Sequence, residues 1–248
     1  MRIDVFFGVV GLVPADFNGR VVAVIDVLRA STSIAAAMAN GAKAVIPLES
    51  SEEVITRSKT FERGAVKMAG ERKMRPISGF DLGNSPSEFT REAVEGKTVL
   101  MATTNGTIAV SAVQGARDVV IASYVNFSAV LSMLRAALRG GADIAVICAG
   151  REKQFSLEDA ACAGRFVHHV SKRLAKVDMN DAAAACTLVE RKFGENLVRL
   201  FGASEHGRAL RDAGFGEDLV TCAAVDSYPV IPLYQDRQIT KLGPDRER

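Results

Sequence analysis

Apolar residues along this chain fall into short unbroken runs, separated by mixed segments with helical texture. Val21 to Ile25 (VVAVI) and Ile144 to Cys148 are continuous apolar stretches, and Thr98 to Ala102 and Val119 to Ser123 are apolar but for one polar residue at an end. Each is too short for a helix and lacks alternation, the pattern of strands buried on both faces of a parallel sheet. Arg2 to Phe7, Ala44 to Leu48 and Ala65 to Ala69 read as further strands. Between them lie helical segments. One is alanine-rich, with Ser31 and Thr32 as caps and Gly41 as its stop; one opens at Ser50 or Ser51 and runs towards Phe61. The others are Ser85 to Ala93, a short piece ending at Val113, Ser128 to Leu138, and a stretch from Ser156 through His168 to Leu174. This alternation predicts an α/β protein, layered α/β/α with a largely parallel sheet. Two lobes, 1–118 and 119–248, are expected to share a central cleft. From Asp181 to Ala213 the texture is helical throughout. Val220 to Val225 and Ser227 to Leu233 read as returning strands, and the charged tail DRQITKLGPDRER as a frayed end or an edge contact.

Composition narrows the class. With 248 residues the chain can bury a sizeable core, and 48% apolar with 24% charged residues is ordinary for a globular protein. The net charge of +2 gives no bulk attraction to nucleic acid or to an anionic membrane, and no basic stripe with interleaved aromatics is present. Anion recognition therefore has to come from local clusters. The apolar run Val5 to Val13 resembles a signal-peptide core, yet no small-residue cleavage pattern follows Pro14, so a strand is the better reading. Cys148, Cys162, Cys186 and Cys222 are scattered without zinc-type spacing, which points to reduced thiols in a cytoplasmic protein.

Unusual residues collect immediately after the apolar runs. In open α/β sheets ligands bind beyond the carboxyl ends of the strands, so these motifs are expected to converge on one edge. Asp26 follows VVAVI, where a carboxylate either ligates a metal or caps the next helix. Arg29 suits an oxyanion through its planar fork of donors, or else a salt bridge. The stretch from Lys67 to Pro86 interleaves Glu71, Arg72, Arg75 and Asp81 with Gly70, Gly79 and Gly83. A connector of that length inside a compact domain is usually functional or disordered. Thr103, Thr104, Asn105, Gly106 and Thr107 form TTNGT, either an anion site of hydroxyls and free amides or an ordinary helix cap. In FSLED, Ser156 is an N-cap with Glu158 and Asp159 in the first turn; one acid serves as ligand or base and the other stabilises the helix dipole. Cys148 lacks the downstream arginine of a cysteine phosphatase, since Gln154 stands there, and is by default an inert thiol. His168, His169 and His206 have no metal-binding company and are assigned to structure or surface.

Taken together and in order, VVAVIDVLRASTS, AGER, GFDLGNSP, ATTNGT and CAGREKQFSLEDAACAG resemble the 2-phosphosulfolactate phosphatase family of coenzyme M biosynthesis. The resemblance implies a Mg²⁺-dependent hydrolase that converts 2-phospho-3-sulfolactate to 3-sulfolactate and phosphate, and a homodimer. On that basis Asp26, Glu71 and Asp81 become the candidate metal acids, and Asp26, Glu71, Glu158 and Asp159 the catalytic carboxylates. Arg29, Ser31, Thr32, Arg72, Thr103, Thr104, Asn105, Gly106 and Cys148 become the substrate-binding set, with Arg75 as a further candidate for the oxyanions. Hydrolysis by an oriented water and covalent transfer to Asp26 are both compatible with these residues. Two other functions fit the same letters: a phosphatase for a different small phosphorylated hydroxy acid, and a non-catalytic binder of an anionic metabolite.

Overall fold

The computed structural model describes residues 1–113, 115–172, 174, 176–194 and 196–243. In chain order the strands are β1 (Arg2–Phe6), β2 (Val21–Ile25), β3 (Ala44–Pro47), β4 (Val66–Arg72), β5 (Arg75–Pro76), β6 (Thr98–Ala102), β7 (Asp118–Ala122), β8 (Ile144–Cys148), β9 (Asp178–Met179), β10 (Pro232–Gln235) and β11 (Gln238–Lys241). The helices are α1 (Ala30–Ala39), α2 (Ser51–Ser58), α3 (Arg91–Val94), α4 (Gly106–Ala112), α5 (Phe127–Arg139), α6 (Leu157–Ser171), α7 (Asp181–Phe193), α8 (Leu197–Ala203), α9 (Glu205–Asp212) and α10 (Gly216–Ala223). The α/β class and the largely parallel, layered arrangement expected from the apolar runs are both present. None of the described helices is long and apolar enough to cross a membrane.

One sheet of 11 strands runs in the order β5-β4-β6-β3-β11-β10-β7-β2-β8-β1-β9. Strands from either side of residue 118 alternate within it. Successive residues of β2 belong to opposite faces: Val21, Ala23 and Ile25 pack with α5 and α6, whereas Val22 and Val24 pack with α1 and α4. Burial on both faces explains why β2, β6 and β8 read as unbroken apolar runs.

The tail overturns one expectation. Gln238–Lys241 is not a frayed end; with β10 it forms an antiparallel hairpin in the middle of the sheet, pairing with β3 on one side while β10 pairs with β7 on the other. Asp236 and Arg237 make the turn with φ of 52° and 61°, the left-handed geometry of a two-residue hairpin loop. Polar residues dominate the strand, but Ile239 is fully buried and supplies its anchor. Residues 244–248 of that tail lie outside the described residues. Because β10 and β11 are antiparallel to each other and to their outer neighbours, the parallel block β4-β6-β3 runs in the opposite sense to β7-β2-β8-β1. The motifs therefore come from two opposed blocks of the sheet, and they nevertheless converge on one cavity.

Other segments also differ from the sequence reading. Val220 to Val225 lies largely in α10, where Asp218, Leu219 and Cys222 form one buried helical face, and the predicted strand Ser227 to Leu233 shrinks to its end in β10. Short apolar runs do not separate strand from helix by themselves. Ser85 to Ala93 is a single turn at Pro86–Glu88 followed by α3, since Thr90 caps a new helix by accepting from Ala93 N.

Candidate active site

The stretch from Lys67 to Pro86 is less of a loop than its length suggests. Its first part is β4, which turns at Lys73-Met74 into β5, with Arg72 opposite Arg75. The remainder folds back on β4: Gly70 N–H donates to Leu82 O and Ile77 N–H to Gly70 O. Glu71 at the end of β4 faces inward and is buried, while Arg72 and Arg75 point to solvent. Arg72 donates to Glu71 O at 2.9 Å. Asp81 pairs with Lys67 at 3.2 Å and accepts from Met68 N at 2.8 Å. Arg72, Arg75 and Asp81 thus lie off the cavity that the other motifs form.

That cavity has a volume of about 240 Å³ and is lined by Asp26, Arg29, Glu71, Asn84, Thr104, Asn105 and neighbours from the hairpin tip and from the turn after β8. Asp26, the first residue beyond β2, is 6% exposed. Its backbone N–H donates to Ser31 Oγ at 2.9 Å, and Oδ1 accepts only a long bond of 3.4 Å from Ala30 N. Burial raises its pKa from 3.8 to about 6; Glu71 and Glu158 push the same way, against His206 and the Ala30 amide. Gly106 is required here, because a Cβ at that position would stand 2.5 Å from Ala30 Cβ and 2.7 Å from Asp26 Oδ2.

Glu71 acts as a clip. Oε1 accepts from Thr104 N at 2.8 Å and Oε2 from Met74 N at 2.9 Å, joining the TTNGT segment to the hairpin tip. Asn105 Oδ1 accepts from Glu152 N at 3.1 Å and joins it to the turn after β8. Thr103 and Thr107 bond to each other through both hydroxyls, so Thr103 shapes the turn and does not line the cavity. Two lining atoms, Asn84 Oδ1 and Thr104 Oγ1, are buried with no hydrogen-bond partner among the described residues. Orphaned buried oxygens are costly unless a ligand, ion or water satisfies them.

The two acids of FSLED divide their work. Asp159 accepts from Val27 N at 2.9 Å and Gly150 N at 3.1 Å, tying together the segments after β2 and β8. Burial, with Asp26 and Glu158 close by, holds its pKa well above the usual carboxylate range. Glu158 is also buried, and burial alone would raise its pKa; His206, with the Glu158 amide and Ser156, outweighs this, and the net shift is downward. His206 Nδ1 lies 3.2 Å from Glu158 Oε1, in charge contact with it.

Arg29 is 3% exposed and is held on three sides. Nη1 pairs with Asp218 at 2.6 Å, Nη2 donates to Met74 O at 2.8 Å, and Phe215 stacks 4.5 Å from the guanidinium. Ser85 Oγ donates to the other oxygen of Asp218. Both the salt-bridge and the cavity-lining readings of Arg29 therefore apply. Ser31 and Thr32 face inward: Ser31 serves Asp26, and Thr32 Oγ1 bonds Val27 O at 2.9 Å and Ser123 Oγ at 2.8 Å. Cys148 is fully buried and off the cavity, and burial pushes its thiol pKa well up, away from thiolate chemistry.

His206, assigned from its sequence neighbours to structure or surface, lines the cavity from α9. Lys73, Met74, Asn84, Arg151 and Glu152 line it too, and Asp218 stands behind Arg29, none of them among the residues expected from the sequence. Asn84 and Arg151 sit inside the conspicuous blocks GFDLGNSP and CAGREK. His206 and Asp218 carry no local signal, because helices α8, α9 and α10 bring them in from far along the chain.

Comparison with known proteins bears on what this arrangement is. The family model described as 2-phosphosulpholactate phosphatase matches residues 10–237, nearly the whole chain. The chain belongs to the 2-phosphosulpholactate phosphatase family. Among similar members of that family is the probable 2-phosphosulfolactate phosphatase of Caldanaerobacter subterraneus subsp. tengcongensis, 38% identical over 217 residues, 88% of each chain. The protein of the same name from Symbiobacterium thermophilum is 38% identical over 234 residues, covering 94% of this chain and 99% of the relative. That of Clostridium acetobutylicum is 32% identical over 239 residues, 96% and 100%. The family match spans every cavity-lining residue.

Proposed function

We propose that this protein is a Mg²⁺-dependent phosphatase that hydrolyses 2-phospho-3-sulfolactate to 3-sulfolactate and phosphate. The observation that carries the reading is the Asp26 carboxylate, buried among other acids beside the orphaned oxygens of Asn84 and Thr104. An anionic substrate cannot approach such a group unless the negative charge is offset by a proton or a cation. The family to which the chain belongs, and the names its relatives bear, supply the substrate.

Among the described residues no group of three or more His, Cys, Asp or Glu forms an all-protein metal cage. Mg²⁺ does not require one, since it takes hard oxygen donors, commonly one or two carboxylates, and keeps waters or substrate oxygens as the rest. Asp26 with the Asn84 and Thr104 oxygens fits that donor set; Glu71, its oxygens committed to two backbone amides, is the weaker ligand. An ion held there would supply charge neutralisation to the transferring phosphoryl group. Arg29 and the amides of Asn105 and Gly106, the two of the TTNGT segment not engaged by Glu71 or by the Thr103–Thr107 pair, orient phosphate oxygens. His206, set against Glu158 through Nδ1, holds or delivers a proton at Nε2. The same reading expects a homodimer in the cytoplasm.

Phosphate release is measured with 2-phospho-3-sulfolactate and a panel of phosphorylated hydroxy acids, with Mg²⁺ titrated and then removed by chelation. Turnover is expected to follow Mg²⁺, to be fastest on the sulfonated substrate, and to fall at least about a hundredfold in Asp26→Asn. No release with Mg²⁺ present, or near-normal turnover in Asp26→Asn, refutes the assignment. Faster turnover of another member of the panel replaces the substrate and keeps the site.

A further inference from the structure

We infer that Lys73 recognises the non-reacting anionic end of the substrate, its sulfonate or its carboxylate, and so sets specificity. The inference rests on the phosphatase reading above and deepens it.

The charge inventory of the cavity is the first ground. Each of the other lining cations already faces a carboxylate: Arg29 faces Asp218, Arg151 faces Glu205, and His206 faces Glu158. Lys73 lines the same cavity with no carboxylate within 4.0 Å among the described residues. A substrate with phosphate, sulfonate and carboxylate groups brings more negative charge than the paired cations can neutralise. With the ion set on the phosphoryl group, the uncommitted ammonium is the lining side-chain cation left to meet the other end.

The way Lys73 is mounted is the second ground. Lys73 and Met74 form the two-residue turn between β4 and β5 with φ of 51° and 69°, and neither is glycine. A side chain in this region costs free energy and persists where surrounding contacts impose it. Here they do: Met74 N–H donates to Glu71 and Met74 C=O accepts from Arg29, which is fixed in turn by Asp218 and Phe215. Both backbone polar groups of the residue beside Lys73 are tied to side chains of the cavity wall. The root of the lysine is thereby fixed at the rim, which lowers the entropy lost when its ammonium closes on an anion. A rotatable point charge with three donors suits a tetrahedral sulfonate as well as a planar carboxylate.

The test compares wild type, Lys73→Met and Lys73→Arg on three substrates. These are 2-phospho-3-sulfolactate, 2-phospholactate, which has methyl in place of sulfomethyl, and the phosphate ester of 2-hydroxyethanesulfonate, which lacks the carboxylate. Lys73→Met is expected to lower kcat/KM on the full substrate by about ten- to a hundredfold, mostly through KM, as for loss of a charged hydrogen bond. The loss shrinks at least about tenfold on the analogue that lacks the group Lys73 holds, which identifies the group, and Lys73→Arg recovers part of it. Equal losses on all three substrates, or no loss on any, would overturn the inference. If wild type releases no phosphate from any of them, the phosphatase reading falls and the inference falls with it.

Discussion

Replacing Asp218 by Ala tests the contact that fastens the C-terminal helices to the cavity. The side chains of Arg29 and Asp218 are 2% and 4% exposed and approach to 2.6 Å. With the charge centres about 4 Å apart and an effective dielectric near 20 their attraction is about 4 kcal/mol, and breaking a buried pair by removing one partner typically costs about 3–5 kcal/mol, because the other charge stays buried. Met74 O and the Phe215 ring remain to Arg29 in the variant, so the lower end, about 3 kcal/mol, is expected. For a chain of this size that is a fall of about 6–12 °C in Tm. Urea unfolding of wild type and Asp218→Ala, compared at equal m-value, measures it directly. The double variant Arg29→Met with Asp218→Leu removes both charges and should recover most of the loss, since a well-packed apolar pair matches a buried ion pair in stability. A shift below about 0.5 kcal/mol in Asp218→Ala, or a double variant less stable than the single, refutes the energetic role given to this pair.

Three further outcomes follow from the geometry. Asp26 has its folded pKa raised from 3.8 to about 6; between those values the unfolded chain has already lost the proton that the folded one keeps. Stability therefore falls as pH rises through this window, by up to about 3 kcal/mol at about 1.4 kcal/mol per unit; Asp26→Asn should flatten the metal-free stability profile between pH 4 and 6, and an unchanged slope refutes the shift. Gly106→Ala forces a methyl to within 2.5 Å of Ala30 Cβ and against Asp26, which should cost about 1–3 kcal/mol by urea titration and depress turnover; wild-type behaviour would show that α1 and α4 can separate freely. Changing Asp236-Arg237 to Asn-Gly suits the left-handed turn joining β10 and β11, so Tm should rise by a few degrees, and a fall contradicts the turn.

Much of this protein was legible from local pattern alone. The runs that become β2, β6 and β8 identify themselves because a strand covered on both faces has no polar position to interrupt it. Asp26, Glu71, Thr104 and Asn105 were visible because each follows or ends such a run with polar or small residues. The starts of α2 and α6 were also plain, since Ser50 and Ser156 accept hydrogen bonds at their N-termini as caps do. The reach of Arg72, Arg75 and Asp81 was not legible: they share the stretch with Glu71, but side chains alternate across a strand, so Glu71 turns inward and Arg72 outward.

By itself the sequence determined the class of fold, the strands that carry the chemistry, and a set of motifs whose order identifies the family. Those are consequences of local periodicity and of residues a few positions apart. Tertiary structure decided that a polar hairpin from the tail completes the sheet, that the two parallel blocks run in opposite senses, and that His206 and Asp218 come to Glu158 and Arg29. It also decided which of the cavity-lining cations has no carboxylate partner among the described residues. Pairing between residues far apart depends on how helices and strands stack, and no local pattern encodes the contact of Arg29 with a carboxylate 189 positions along the chain.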